Sequence, residues 1–258
     1  MKASSEIHFA GIIPARFAST RFPGKPLALI GNKPMIQRVW EQARKSLDRV
    51  YVATDDDRIF KAVLSFGGKA VMTLAEHRSG TDRCAEAVDR INLEFNEIID
   101  VVVNIQGDEP FIRPEQIDLL MSCFHDKRVE IATLIRKTEY GEDVFNPNQP
   151  KVILDSANNA IYFSRAAIPF IRDTEAAEWS KKHLYFKHIG MYAYRTETLK
   201  KITKLPESPL ETAESLEQNR WLENGFKIRT AVTDGENRGI DTPGDLEQAN
   251  SLLDNIKK

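Results

Sequence analysis

The run Ile99-Asp100-Val101-Val102-Val103-Asn104-Ile105, leading into Gln106-Gly107-Asp108-Glu109-Pro110, decides the fold class of this chain. Three consecutive valines between two isoleucines make both faces of a strand apolar. Such a strand must be covered on both sides, as in a mostly parallel sheet packed between helices. Working outward from it, β-type runs alternate with helical periodicity: Ile7 to Ile13, a helix from about Pro34, Val50 to Thr54, a helix through Ile59 and Val63, Ala70 to Thr73, and a helix through Cys84, Val88 and Ile91. The pattern predicts an α/β chain, a three-layer α/β/α sandwich around a mostly parallel, Rossmann-like mixed sheet.

After about residue 128 the rhythm changes. Val129 to Ile135 reads as a strand. Lys151 to Asp155 and Ala160 to Ser164 bracket the turn Ser156-Ala157-Asn158-Asn159, which predicts a hairpin and hence a small antiparallel lobe. A strand at His188 to Tyr194, a helix from about Glu211 to Glu223, a strand at Phe226 to Val232 and a helix after Pro243 complete the chain. No internal repeat or long linker interrupts it. The expectation is a single domain over 1–258 in three parts, at about 7–128, 129–232 and 233–258.

Composition narrows the function. The 258 residues include 36 basic and 38 acidic ones, a formal charge of -2, which excludes the strongly basic balance of a nucleic-acid binder. No apolar run reaches the length of a membrane span. The two cysteines, Cys84 and Cys123, lie in amphipathic stretches without metal-ligand spacing. A cytoplasmic protein with reduced cysteines is expected. No Gly-x-Gly-x-x-Gly follows the first strand, no Gly-x-x-x-x-Gly-Lys-Ser/Thr occurs, and no nucleophile elbow is visible; dinucleotide oxidoreductases, P-loop NTPases and Ser-His-Asp hydrolases are disfavoured.

The polar clusters fall at the carboxyl ends of the strands, where ligands gather in such sheets. After the first strand, Arg16, Arg21 and Lys25 stand among Ser19, Thr20 and Gly24, the cations and small residues of a polyphosphate-binding loop or of a basic surface loop. After the second come Thr54 and Asp55 to Asp57, which could equally cap a helix. After the third come His77, Arg78, Ser79, Gly80 and Arg83, with Ser79 or Thr81 a possible cap. Beyond the valine run, Asp108 and Glu109 beside Gly107 provide hard oxygen ligands of the kind a Mg²⁺-nucleotide site uses, or a plain turn. Asp241, just before the last helix, is either a second ligand or, like Thr242, a cap. Two convergent carboxylates would call for a divalent cation.

Taken in order, Ile13-Pro14-Ala15-Arg16 with Ser19-Thr20-Arg21 and Pro23-Gly24-Lys25-Pro26, His77-x-Ser79-Gly80-Thr81-x-Arg83, Gln106-Gly107-Asp108-Glu109-Pro110, Tyr162-Phe163-Ser164-Arg165, His188-Ile189-Gly190-x-Tyr192, Ser208-Pro209-Leu210-Glu211 with Leu216-Glu217-Gln218, and Asp241-Thr242-Pro243 resemble the 3-deoxy-manno-octulosonate cytidylyltransferase (CMP-Kdo synthetase) family. The resemblance runs from about Ile12 to Leu246. It implies a nucleotide-diphospho-sugar transferase fold and transfer of CMP from CTP to the anomeric hydroxyl of Kdo, with pyrophosphate released, for lipopolysaccharide assembly. By resemblance, Arg16, Arg21, Lys25 and Ser19 hold the triphosphate; Ala15, Thr54, Ser79, Gly80 and Gln106 contact the nucleotide; Asp108 and Asp241 hold Mg²⁺; and Arg83, Arg165, His188, Tyr192, Glu217 and Gln218 meet the acid sugar. Arg16, Lys25, Asp108 and Asp241 are the implied catalytic set. CTP and Kdo are the implied partners, and a homodimer is implied, with the hairpin around Asn158 a candidate contact.

Two departures bear on the sugar. The charged segment from Arg172 to Lys187 follows no family pattern, and Ala193 stands where glycine is expected after Tyr192. An 8-amino analogue of Kdo therefore stays open as the substrate. So does a sialic acid, though the first loop of those enzymes is richer in glycine and lysine. A nucleotide-binding protein without catalysis is the alternative from another class; the presence of both Asp108 and Asp241 counts against it.

Overall fold

The computed structural model describes residues 6–18, 22–235 and 239–256. The chain divides into two compact units, Met1–Asp118 with Asn237–Lys258, and Leu119–Glu236.

In chain order the first unit contributes β1 (Phe9–Ala15), β2 (Leu29–Ile30), β3 (Lys33–Pro34), α1 (Met35–Ala43), β4 (Val50–Thr54), α2 (Asp57–Ser65), β5 (Lys69–Met72), α3 (Gly80–Phe95) and β6 (Val101–Asn104). The helix α4 (Pro114–Ser122) leads out of it. Strands β6, β1, β4 and β5 lie side by side, all parallel, with Gly11 opposite Val50 and Phe9 opposite Val101. The chain steps outward from β1 to β4 to β5, then crosses back to β6 on the other side of β1. Right-handed crossovers for those steps place α1 and α2 on one face and α3 on the other. The valine run demands this cover, and Val101, Val102 and Val103 are fully buried. The reversal of strand order between β1 and β6 opens a crevice at their carboxyl ends.

The second unit holds β7 (Ile131–Lys137), β8 (Lys151–Leu154), β9 (Ala160–Ser164), α5 (Trp179–Lys182), β10 (Phe186–Arg195), α6 (Thr196–Ile202), α7 (Pro209–Glu214), α8 (Glu217–Glu223) and β11 (Ile228–Val232). Here β10 runs antiparallel to β7 and β8, β9 antiparallel to β8, and β11 parallel to β7. The expected hairpin is present. Its turn is closed by Asp155, whose carboxylate accepts from the N–H groups of Ala157 and Asn159, and Asn158 takes the left-handed conformation that asparagine tolerates. The turn is docked on β11 of its own unit, where the N–H and hydroxyl of Thr230 both donate to the Asn158 carbonyl.

One helix departs from expectation. The span Glu211 to Glu223 is two helices, because Ser215 adopts φ 50° and ends α7 before α8 begins at Glu217. The Ser208 capping box with Glu211 also moves the start to Pro209. The last helix, α9 (Pro243–Ile256), returns to the first unit, where Ala249 packs with Ile30, Met35 and Ile240.

Candidate functional site

A cavity of about 270 Å³ opens at the carboxyl ends of β1 and β6, lined entirely by the first unit. Four chain segments build it. The end of β1 supplies Ala15 and the loop after it the exposed Arg16. That loop is closed at its base by the Gly24 N–H donating to the Phe17 carbonyl (2.9 Å), and Gly24 has φ 72°. A Cβ there would strike the Phe17 ring at 3.0 Å, so glycine meets two demands at once. The Arg58 guanidinium covers Phe17, 3.3 Å from the ring centroid, and is itself held by Asp56. Lys25 then opens a short 3₁₀ turn (Lys25–Leu27) that points its side chain into the cavity. Ser19 and Arg21 of the sequence-based set lie outside the described residues.

The second segment precedes α3. Ser79 caps that helix by accepting from the Asp82 N–H, and the Asp82 carboxylate answers at the Ser79 N–H. The capping role and a cavity-lining position therefore coincide at Ser79. Gly80 and Arg83 line the same wall, but Arg83 is buried, donating to the Thr73 hydroxyl at 2.6 Å and pairing with Asp55 at 3.3 Å. Thr54 does not line this cavity. It is fully buried, its hydroxyl accepting from the Asp56 N–H.

The third segment follows β6. Gln106, Gly107 and Asp108 line the cavity floor. A Cβ on Gly107 would stand 2.9 Å from the Pro14 carbonyl oxygen, so only glycine lets the two strand ends approach. Asp241 reaches the same floor from the C-terminal part of the unit, carried by the Ile240 N–H donating to the Asp108 carbonyl (2.9 Å). The helix cap is Thr242, not Asp241: Thr242 and Asp245 form the reciprocal pair of a capping box. Asp241 lines the cavity beside that cap. Asp108 and Asp241 converge on one group, the Lys25 ammonium, at 2.6 and 3.2 Å.

His77 and Arg78 also line the cavity, beside Ser79, Gly80 and Arg83, to which the resemblance gives roles. Their place between β5 and Ser79 was the available signal. Glu86, seven residues into α3, carried none. Its carboxylate accepts from the Leu74 N–H (2.8 Å), meets His77 Nε2 (2.5 Å) and pairs with Arg90 (2.6 Å). Burial raises its pKa, but these three partners outweigh it and hold the carboxyl below the usual range. Glu86 thus fastens Leu74 and His77, the stretch that leads into Arg78 and Ser79.

The remaining residues of the set lie in the second unit. Between Ile189 and Tyr192 the β7–β10 register shifts, and the Thr133 hydroxyl donates across this bulge to the Met191 carbonyl (2.8 Å). With its proton so used, the Thr133 oxygen accepts from His188 Nε2 at 3.0 Å, which places a ring proton on Nε2. The His188 ring packs against Phe163 and Tyr192, and Tyr192 against Tyr194 and Trp221. Burial lowers the His188 pKa to about 3 and raises that of Tyr192 well above its ordinary value. Gln218 is buried on α8, while Glu217 pairs with Arg220 (2.9 Å). The Arg165 guanidinium is spread over the Glu214, Pro147 and Ser215 carbonyls, which ties the end of β9 to that of α7.

The His188 environment has a consequence for stability. The unfolded chain takes up a proton near pH 6.5 that the folded chain refuses until about pH 3, so this contribution is full above 6.5 and declines as pH falls from 6.5 toward 3. The slope is at most ~1.4 kcal/mol per pH unit, less because the ring is only part-buried. Urea melts of the wild type at pH 7.5 and 5.5 are expected to show this loss. His188→Gln should flatten it.

Comparison with known proteins accords with this geometry. A family model described as cytidylyltransferase matches residues 10–228. The chain is 58% identical over 251 residues to a 3-deoxy-manno-octulosonate cytidylyltransferase of Parabacteroides distasonis, covering 96% of this chain and 98% of that one. It is 57% identical to its namesake in Bacteroides thetaiotaomicron, with 96% and 98% covered. Among solved structures, CMP:2-keto-3-deoxy-manno-octonic acid synthetase complexed with CTP superimposes with a TM-score of 0.88 at 40% identity, covering 96% of this chain and 99% of that chain. A 4-diphosphocytidyl-2C-methyl-D-erythritol synthase from Anaerococcus prevotii shares the fold alone, at TM-score 0.62 and 13% identity over 96% and 99%.

Proposed function

Since this chain belongs to the cytidylyltransferase family, we propose that it transfers CMP from CTP to the anomeric hydroxyl of Kdo, releasing pyrophosphate, with the cavity at the ends of β1 and β6 as its nucleotide site. The observation that carries the site assignment is the meeting of Lys25, Asp108 and Asp241 at the strand-order reversal, walled by Arg16, Arg78 and Arg83. Cations face phosphate; paired carboxylates face a metal.

The residues fit a divalent cation. Two carboxylates already share one cation, the Lys25 ammonium, which marks the spot as favourable to positive charge. Among the described residues no group of three or more His, Cys, Asp or Glu side chains could hold a metal. Mg²⁺ suits such a donor set, since it takes one or two carboxylates and completes its octahedron with phosphate and water. When bound there it neutralises phosphate charge and polarises the attacking hydroxyl.

In the reaction the sugar hydroxyl oxygen bonds to the α-phosphorus as the bond to pyrophosphate breaks, and the hydroxyl proton leaves to solvent or phosphate. Arg16 and Lys25, with Arg21 and Ser19 of the first loop, hold the triphosphate against its own repulsion and fix it in line. Ala15, Thr54, Ser79, Gly80 and Gln106 are assigned to the nucleoside; of these, Thr54 would act through the Asp56 backbone rather than by contact. Arg83, Arg165, His188, Tyr192, Glu217 and Gln218 are assigned to the acid sugar, with neutral His188 as a hydrogen-bonding partner rather than a charge. The nucleotide part is about 7–128, the sugar part about 129–232 and the metal-ligand part about 233–258. A homodimer is part of this reading, supported by exposed apolar side chains such as Phe170 and Ile161. So is a cytoplasmic location, supported by Cys84 and Cys123 standing outside any disulfide. No described helix is long and apolar enough to cross a membrane.

Pyrophosphate release with Mg²⁺, each of CTP, UTP, ATP and GTP, and each of Kdo, 8-amino-Kdo and sialic acid tests the reading. Release with CTP and Kdo is expected. Turnover only with another acid would overturn the sugar assignment.

Because Glu86 fastens the loop carrying Arg78 and Ser79 without lining the cavity, Glu86→Ala is expected to raise KM for CTP roughly tenfold with kcat within about twofold. Steady-state kinetics over a CTP series checks this. A fall in kcat at unchanged KM would show that the loop serves chemistry and not binding.

A further inference from the structure

The Lys25 ammonium stands between the carboxylates that the proposed reaction assigns to a metal, 2.6 Å from Asp108 and 3.2 Å from Asp241. We infer that Lys25 is an internal counter-ion that occupies the metal's place and yields it only when a triphosphate draws the ammonium away. The inference rests on reading Asp108 and Asp241 as metal ligands and adds to it an order in which metal and nucleotide must meet.

Three features support it. First, the carboxylates are positioned without Lys25: Asp108 follows β6, and Asp241 is carried by the Ile240–Asp108 backbone bond and the Thr242–Asp245 cap. Their proximity is built into the backbone, so a charge between them is needed whichever cation provides it. Second, the backbone of Lys25 is fixed by buried Pro26 and the Leu27 N–H bond to the Gly24 carbonyl, while its four-carbon stem can swing among the groups within reach. A phosphate oxygen in the same cavity is an equivalent partner for the ammonium. Third, among the described residues the protein brings only two carboxylates to this spot and no third ligand of the usual kinds.

A divalent cation arriving alone would have to displace an ammonium that makes two charge-assisted bonds, and would gain only two protein ligands in return. A cation arriving with a triphosphate meets a different balance. The phosphates supply further ligands and give Lys25 a new partner, so one event serves both ions. Metal and nucleotide therefore bind synergistically, and by reciprocity each raises the affinity for the other.

The test uses Mn²⁺ alone, without nucleotide, with free Mn²⁺ counted by electron paramagnetic resonance in the presence of the full-length protein. The wild type is expected to bind it weakly. Lys25→Met is expected to bind one Mn²⁺ at least tenfold more tightly, and Lys25→Met with Asp108→Asn should lose that gain. Lys25→Gln serves as a second variant, with a neutral polar amide in place of the ammonium. Thermal melts give an independent readout: in EDTA the Lys25 variants should melt below the wild type, and Mg²⁺ should raise their midpoint more than it raises the wild type's. Equal Mn²⁺ affinity in the wild type and both Lys25 variants, while Asp108→Asn still abolishes turnover, would overturn the counter-ion role and leave the metal reading intact. Tighter binding that persists after Asp108→Asn would overturn both.

Discussion

Asp108→Asn is expected to lower turnover about 10³-fold or more while the chain stays folded. The carboxylate stands at the end of a fully buried strand, but its own side chain is 30% exposed, and its carbonyl bond to Ile240 does not depend on the side chain. An amide of the same shape keeps the packing and removes the charge. What disappears is half of the anionic pair that opposes the positive charge at the reacting phosphate, and charge neutralisation of this kind is worth ~10²–10³ in rate for a single group. Loss of a metal ligand adds to that. The check is kcat at saturating Mg²⁺ and CTP, alongside circular dichroism and a melt. A variant with near-wild-type turnover would remove Asp108 from the metal site.

Glu142→Ala is expected to cause the largest loss of stability, ~3–5 kcal/mol, or roughly 10 °C in melting temperature for a chain of this size. Glu142 takes hydrogen bonds from Arg136 and Lys187, whose side chains are only 8% and 5% exposed, and from the Glu139 N–H. Without it two buried cations face each other with Lys151, itself fully buried and bonded to the Asn146 and Arg165 carbonyls. Burial alone would raise the Glu142 pKa, yet the bonds from Lys187 and Arg136 hold it at about 2. A carboxyl lowered from 4.5 contributes fully above pH 4.5 and loses that contribution as pH falls toward 2. The gap between wild type and variant should therefore be widest at pH 7 and narrow below 4.5 in urea titrations. The same network anchors β10, which carries His188, and β8, so activity should fall with stability.

Much of this was legible in the residues because the strongest physical demands leave local marks. The valine run and the alternation around it could only be a covered parallel sheet, and the parallel strands β6, β1, β4 and β5 follow from it. The clusters at strand ends include Arg16, Lys25, Ser79, Gly80, Gln106 and Asp108, and topology places those ends together, so that all six line one cavity. Other features depend on contacts that no spacing displays. Whether Asp241 or Thr242 capped the last helix turned on Asp245 reaching back to Thr242. The break at Ser215 needed a left-handed serine, which propensity does not favour. Glu86 meets His77 and Leu74 across a loop, and Arg83 turns inward to Asp55 and Thr73, contacts made by packing rather than by pattern.

The most direct test is a crystal structure of the protein with CTP and Mg²⁺. The triphosphate is expected in the cavity at the ends of β1 and β6, with a metal on Asp108 and Asp241 and the Lys25 ammonium moved onto a phosphate oxygen. CTP bound elsewhere, or a metal touching neither carboxylate, would contradict the account.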